Sequence, residues 1–129
     1  MVRKQRSPEY SLIIAVPKGR VLQQLVPRFQ RAGIDTRALT EDTRQLIRRD
    51  TKRGVSFLLL KPDDVPTYVE YGAADVGVVG RDVLLEREYD LYAPIDLGIG
   101  RCNMMVCGLP GSYPVANGGG RTLRVGTKF

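Results

Sequence analysis

Hydrophobic positions in the first half of the chain alternate between continuous runs and runs with helical spacing. The aliphatic runs at 12–16 and 55–60 predict two fully buried strands. Between them, apolar residues recur on one face of a predicted helix: Val21, Leu22, Leu25, Val26 and Phe29. Gly33 is placed to end this helix in a left-handed cap. Because Pro27 lies inside the pattern, the helix either begins after Val21 or kinks at the proline.

The same alternation continues toward the middle of the chain. Residues 43–47 form a short strand candidate, and 74–80 predict a further strand bounded by small residues. Asp63 is predicted to cap a helix that Gly72 ends, and 81–86 open another short helix. Strands that alternate with helices at this spacing indicate an α/β fold with a mostly parallel sheet.

From Tyr92 onward the pattern changes to strand-like runs with no helix between them. These runs are 95–100, 102–109 and 122–127, with a Gly/Pro-rich connection at 110–120. A crossing into a second lobe near 96–101 would explain the change. The predicted organisation is a basic flexible tail at 1–10, a first α/β lobe at 11–97, and the incomplete start of a second lobe at 98–129.

Composition narrows the classes of function. A chain of 129 residues suits one domain, or one domain with part of another. The net charge of +6 favours polyanionic partners, whether nucleic acid, nucleotides or pyrophosphate. No apolar run approaches the roughly 20 residues that span a bilayer, and no secretory signal follows the basic N-terminus. We therefore expect a cytoplasmic protein without a membrane partner.

The chemistry that the chain can perform is limited by its lack of histidine. This excludes imidazole as a general base and the Ser-His-Asp arrangement, and it makes most zinc sites improbable. The two cysteines, Cys102 and Cys107, are expected to be reduced and buried. Chemistry that depends on arginine instead must be electrostatic, since a guanidinium group stabilises charge and does not shuttle protons.

The strongest candidate site is the stretch from Pro17 to Arg20, where a buried strand gives way to a helix. Two cations flank one glycine there, and the helix start adds free N–H groups and the positive end of its dipole. Other cations, glycines and an acid also lie at predicted strand ends. The set is Lys18, Gly19, Arg20, Arg44, Asp75, Gly77 and Gly80. This combination predicts a site for phosphate groups.

Several blocks in order resemble the ATP phosphoribosyltransferase family. They are residues 12–20, the helix end Arg-Ala-Gly-Ile, Glu-Asp-Thr-Arg-Gln-Leu-Ile at 41–47, 61–70, 72–84 and 97–102. The resemblance runs from about Leu12 to the last residue and is greatest to short-form catalytic subunits. It implies a two-lobed fold like that of the type II periplasmic binding proteins, of which this chain would hold the N-terminal lobe and the beginning of the second.

By this resemblance the chain belongs to a glycosyltransferase of histidine biosynthesis. The implied reaction joins the adenine N1 of ATP to phosphoribosyl pyrophosphate and releases pyrophosphate, with Mg²⁺ accompanying the substrates and no metal ligands from these residues. Arg20 and Arg44 match arginines that would act in catalysis. The matched substrate-binding positions are Lys18, Gly19, Thr43, Asp75, Gly77 and Gly80. Thr43 stands where serine is usual, which keeps the hydroxyl group.

The resemblance also implies what surrounds this chain. Family members continue past Phe129, and the part beyond would carry the loop that holds the 5′-phosphate of phosphoribosyl pyrophosphate. We therefore expect an N-terminal fragment that is inactive alone. Short forms work as hetero-oligomers with a regulatory subunit similar to histidyl-tRNA synthetase. Two other readings stay open: a non-catalytic nucleotide- or anion-binding lobe and, less favoured, a nucleic-acid-binding module based on basic residues 48–53.

Overall fold

The computed structural model describes residues 12–41, 44–50, 54–110 and 124–129. Its strands are β1 (Leu12–Pro17), β2 (Ile47–Asp50), β3 (Val55–Leu60) and β4 (Val76–Gly77). Its helices are α1 (Arg20–Arg31), α2 (Arg37–Thr40), α3 (Val65–Glu70) and α4 (Arg81–Glu86), and a 3-10 turn at Pro62–Asp64 precedes α3. None of the helices in these ranges has the length and apolar character needed to cross a bilayer.

The four strands form one sheet in the order β2-β3-β1-β4. The central strand β1 pairs in parallel with β3 on one side and with β4 on the other. Strand β2 lies at the edge and pairs with β3 in the antiparallel direction. The predicted α/β class with a mostly parallel sheet is therefore confirmed.

Alternating residues of the strands build a hydrophobic cluster on each face of the sheet. The larger cluster contains Ile14, Val16, Leu25, Leu39, Val55, Phe57 and Leu59. In it α1 covers the sheet, and the rings of Phe29 and Phe57 lie 5.4 Å apart at a tilt of 58°. The smaller cluster contains Ala15, Leu60, Val65 and Ala74 and packs α3 against the opposite face. Both faces are covered, as the continuous apolar runs of β1 and β3 require.

Helix α1 excludes one of the alternatives that Pro27 left open, and the kink stays a prediction. The helix begins at Arg20 and continues through Pro27, which is exposed, so the later start is wrong. Gly33 has a φ of 71°, and its N–H and that of Ile34 each donate to a carbonyl of the last turn at 2.9 Å. This is the predicted left-handed cap.

Two local predictions in the middle of the chain are wrong. The strand expected at 43–47 lies at Ile47–Asp50. Its charged residues are tolerated because one side of this edge strand has no neighbour in the described ranges. Asp63 does not cap a helix through its side chain. The 3-10 turn already begins at Pro62, so Asp63 lies inside the turn rather than before it, and its carboxylate pairs with Lys128 at 3.3 Å.

The strands expected after Tyr92 are absent from the described residues 88–110 and 124–129. A strand needs a neighbour to accept its backbone hydrogen bonds, and the described ranges offer none here. Residues 101–110 are exposed throughout. Cys102 and Cys107 lie in this segment as free thiols, and because both are exposed the predicted burial is wrong. The division into lobes near residue 97 stays a prediction.

Candidate functional site

One edge of the sheet collects most of the predicted site residues. The parallel strands β1, β3 and β4 end at this edge, and the antiparallel strand β2 begins there. Lys18 directly follows β1, and Arg44 lies just before Leu46, whose carbonyl accepts a hydrogen bond from Leu59 N–H at 2.8 Å. We call this side the carboxyl edge and the opposite side the amino edge. Ligands of parallel α/β sheets bind at the carboxyl edge.

The turn after β1 exposes backbone at the start of α1. Gly19 has φ 90° and ψ −146°, a conformation that residues with a side chain rarely adopt. A Cβ atom there would meet nothing within 4 Å, so the backbone conformation and not lack of space requires glycine. The first N–H groups of the helix have no partner within it. They lie at the same edge as Lys18 and Arg20 and add the positive end of the helix dipole.

The cations at the carboxyl edge have no counter-charge in the described part of the chain. Lys18, Arg20 and Arg44 are exposed, and their side chains form no hydrogen bond or ion pair with the described residues. A guanidinium group presents a planar fork of donors that matches two phosphate oxygens, and it keeps its charge at any physiological pH. The edge therefore carries unpaired positive charge within the described ranges.

A fourth cation, Lys61, lies at this edge and was not among the predicted site residues. It directly follows β3, and Pro17 pairs with Leu60 in the register of β1 and β3. Lys18 and Lys61 therefore leave neighbouring strands side by side, about 4.8 Å apart in the backbone. Lys61 is also exposed and has no side-chain partner among the described residues. The signal was available in the sequence, since each lysine follows a buried aliphatic run.

Asp75 is not brought together with these cations. It precedes β4 at the amino edge, where its carboxylate accepts a hydrogen bond from Ile13 N–H at 2.8 Å. Its own N–H donates to the carbonyl of Ile13 at 2.9 Å. These two hydrogen bonds between Asp75 and Ile13 join β4 to β1.

Thr43, another predicted site residue, lies outside the described residues.

The two predicted glycines near β4 differ in what they do. At Gly77 a Cβ atom would lie 2.7 Å from Val65 and 2.8 Å from Val69, so the glycine allows α3 to pack against the sheet. Gly80 is the N-cap of α4, and a Cβ atom there would lie 2.2 Å from a carboxylate oxygen of Asp82. Gly77 is the last residue of β4 and Gly80 lies three residues beyond it, yet the contacts of Gly77 are those of a packing residue.

Two surface grooves lie beside the cationic edge rather than around it. One of about 730 Å³ lies between α2 and β2 and includes Gln45 and Leu46 in its lining. Another of about 630 Å³ lies between α1 and residues 98–101. Neither is lined by Lys18, Arg20 or Arg44. Within the described ranges no group of three or more cysteine, aspartate or glutamate side chains is arranged to hold a metal ion.

The basic stretch that suggested nucleic-acid binding is partly engaged in the fold. The Arg48 guanidinium donates to the carbonyls of Ala38 and Glu41 at 2.8 Å each, and to that of Gln45 at 3.3 Å. It therefore stabilises the chain that leads from α2 into β2. A side chain held by three carbonyls has few donors left for a phosphate backbone.

Comparisons with known proteins agree with this architecture. Residues 61–129 match the family described as ATP phosphoribosyltransferase. The chain is 60% identical over 97 residues to an ATP phosphoribosyltransferase of Sorangium cellulosum, covering 75% of this chain and 46% of that protein. It is 48% identical over 116 residues to one of Caldanaerobacter subterraneus, covering 90% of this chain and 54% of that protein. The chain thus spans about half the length of the curated relatives it matches.

A solved structure is similar as well. It is the ATP phosphoribosyl transferase (HisG:HisZ) complex from Thermotoga maritima, with a TM-score of 0.54 and 33% sequence identity. The similarity covers 66% of this chain and 39% of that chain. It confirms the predicted fold class, an α/β lobe of the type II periplasmic-binding-protein kind. On the family match, the identities and the shared fold together, the chain belongs to the ATP phosphoribosyltransferase family.

Proposed function

We propose that this chain supplies the polyphosphate-binding half of an ATP phosphoribosyltransferase. The reaction joins the adenine N1 of ATP to the anomeric carbon of phosphoribosyl pyrophosphate and releases pyrophosphate, as the first step of histidine biosynthesis. The observation that carries the proposal is the carboxyl edge, where Lys18, Arg20 and Arg44 lie exposed without a counter-charge in the described ranges. Family membership supports the identity of the polyphosphate.

The chemistry requires charge stabilisation more than proton transfer. When the bond between the anomeric carbon and pyrophosphate breaks, positive charge grows on the ribose ring and negative charge on the leaving oxygens. Arg20 and Arg44 hold phosphate oxygens and stabilise that separation. Each such donor contributes on the order of 10²–10³ in rate. Lys18, Lys61 and the first N–H groups of α1 hold the polyphosphate in place, which supplies orientation.

Mg²⁺ is proposed here as a companion of the substrates, since no group of three or more possible ligand side chains in the described ranges is arranged to hold a metal ion. When bound to the phosphates, Mg²⁺ neutralises part of their charge.

We also propose a regulatory partner subunit and a cytoplasmic location. The structural neighbour described as a complex supports the partner, and the relatives' family supports the biosynthetic setting. Because the chain spans about half the length of the curated relatives it matches, we expect no turnover by these 129 residues alone.

Titration of ATP and inorganic pyrophosphate into the chain, followed by calorimetry, tests the proposal. Arg20→Ala and Arg44→Ala should each weaken binding by roughly 10- to 100-fold, the range expected for hydrogen bonds to a charged group. Arg31→Ala is the matched control, since Arg31 is an exposed arginine at the other end of α1. It should bind as the wild type does.

Equal binding by the Arg20→Ala, Arg44→Ala and wild-type chains would contradict the proposal. A random oligonucleotide, titrated at two salt concentrations, tests the nucleic-acid alternative. Tight binding with a steep salt dependence would favour that alternative. In the complete enzyme, the same two substitutions should lower the rate of pyrophosphate release, which separates a catalytic site from a non-catalytic binding lobe.

A further inference from the structure

Residues 97–100 cross α1 and are held there by two of its side chains. Arg28 Nη2 donates to the carbonyl of Leu97 at 2.9 Å. The N–H of Gly100 donates to Gln24 Oε1 at 2.8 Å. Gln24 and Arg28 are four residues apart and therefore lie on the same face of the helix. We call these two side chains the α1 clamp.

The crossing segment has a defined path although it belongs to no helix or strand. Gly98 and Gly100 have positive φ values of 61° and 67°. The N–H of Gly98 donates to Asp96 Oδ1 at 2.8 Å. The side chains of Leu97 and Ile99 pack against the larger hydrophobic cluster. The segment is thus fixed by its turns, its apolar contacts and the clamp together.

The clamp lies on the helix whose first turn belongs to the carboxyl edge. Gln24 follows Arg20 by four residues, a rise of about 6 Å along the axis. Val21 lies between them in sequence, and its Cγ2 is 3.6 Å from the position of a Cβ built on Gly100. Beyond Gly100, residues 101–110 are exposed throughout. The clamp therefore fixes the direction in which the chain leaves the packed lobe.

We propose that Gln24 and Arg28 are positioning residues of the enzyme. They hold residues 97–100 on α1 and so fix where the chain beyond Gly100 stands relative to the phosphate-binding start of the same helix. This inference rests on the proposed function. Neither residue touches the reacting atoms. They act by holding the chain beyond Gly100 at a fixed position relative to a polyphosphate bound by Arg20.

Amide hydrogen exchange on the 129-residue chain tests the clamp without any ligand. Gln24→Ala should accelerate exchange at Gly100 by roughly two- to tenfold, the range expected for the loss of one hydrogen bond. Gln23→Ala is the matched control, since the neighbouring glutamine lines the same groove and its side chain bonds to none of the described residues. Unchanged exchange at Gly100 in Gln24→Ala would overturn the clamp, whatever the ligand proves to be.

Steady-state kinetics of the complete enzyme test the positioning role. Arg28→Met should lower kcat by about tenfold or more, because a misplacement of about 1 Å can cost a hundredfold, while KM for ATP stays within about twofold. Arg28→Lys keeps one donor for Leu97 and should recover part of the rate. Arg31→Met should be as active as wild type. Wild-type kcat in Arg28→Met, or a loss that Arg28→Lys does not relieve, would overturn the proposal. An inactive wild type would instead count against the proposed function.

Discussion

The two edges of the sheet differ in whether their charged side chains have partners within the fold. At the carboxyl edge, Lys18, Arg20 and Arg44 lie exposed with no side-chain partner in the described ranges. At the amino edge, the carboxylates of Asp50 and Asp75 accept hydrogen bonds from backbone N–H groups at 3.0 and 2.8 Å. The predicted site cations at one edge have no partner among the described residues, whereas the carboxylates at the other edge form hydrogen bonds that stabilise the fold.

The charge pairs near the amino edge extend this contrast. Asp35, whose N–H donates to Asp50, also binds the guanidinium of Arg37 through its carboxylate. The hydrogen bond that Arg37 donates to Asp35 and, after it, the negative charge of Asp35 raise the pKa of Arg37. A cation here is thus matched to an anion two residues away. Paired charge belongs to folding, and unpaired charge at the opposite edge is left for a ligand.

Reversing one charge at the carboxyl edge should give the largest effect. Lys18→Glu places an anion beside the bound phosphate, and like charges in contact cost several kcal/mol. We expect pyrophosphate affinity to fall by at least about a hundredfold, as measured by calorimetry. Arg31→Glu makes the same charge change at the far end of α1 and should leave affinity within a few fold. Equal losses in both variants would mean that total charge, and not the edge, determines binding.

Removing a carboxylate at the amino edge should affect stability instead. Asp50 is 4% exposed, and Asp50→Ala leaves the N–H of Asp35 without its acceptor. We expect a loss of about 1.5–3 kcal/mol in the free energy of unfolding, measured by urea denaturation. Asp50→Asn keeps one acceptor oxygen and should lose less. Pyrophosphate affinity of the folded protein should not change, and a large drop would contradict the division between the edges.

Gly77 is a case in which a residue at the carboxyl edge acts in packing. Gly77→Ala would bring a methyl group within 2.8 Å of Val65 and Val69. Overpacking of this kind costs about 1–3 kcal/mol, which thermal unfolding would detect. Gly77→Ala combined with Val69→Ala removes the contact at 2.8 Å but leaves the one at 2.7 Å with Val65, so it should relieve only part of the overpacking. If the single substitution is neutral for stability, the close approach of α3 is not what selects glycine.

The smallest effect should come from the exposed pair formed by Asp63 and Lys128. Their side chains are 64% and 62% exposed, and the shortest distance between their charged atoms is 3.3 Å. Exposed pairs contribute about 0–1 kcal/mol, so Lys128→Ala should change the free energy of unfolding by less than that. A larger loss would show that this exposed pair contributes more to the fold than such pairs usually do.

Patterns set by neighbours in sequence predicted much of this fold. The aliphatic runs of β1 and β3 and the cap at Gly33 depend on contacts within a few residues, so the sequence carries them directly. The position of β2 could not be read in this way, since pairing with β3 selects Ile47–Asp50 over the less charged residues before it. The strands expected after Tyr92 failed for the same reason, because a strand is defined by its partner.

Only some residues of the candidate site could be predicted from the sequence, for a similar reason. Cations that follow buried strands were predictable, because parallel strands carry their ends to one edge. Asp75 matched the same pattern, yet it precedes its strand by one residue and therefore lies at the other edge. The two-residue strand β4 therefore separates Asp75 from the carboxyl edge. Gly77 was singled out as a ligand neighbour, whereas its contacts with α3 depend on tertiary packing that no local pattern shows.

The reversed direction of β2 has a consequence for how such a surface can be assembled. In a sheet of uniformly parallel strands, only connections that leave strands could contribute to the carboxyl edge. Here one strand runs backward, so Arg44 arrives at that edge on an incoming connection. The antiparallel direction of β2 thus lets the connection between α2 and β2 contribute to this edge. If β2 ran parallel to β3, the same connection would place Arg44 at the opposite end of the sheet.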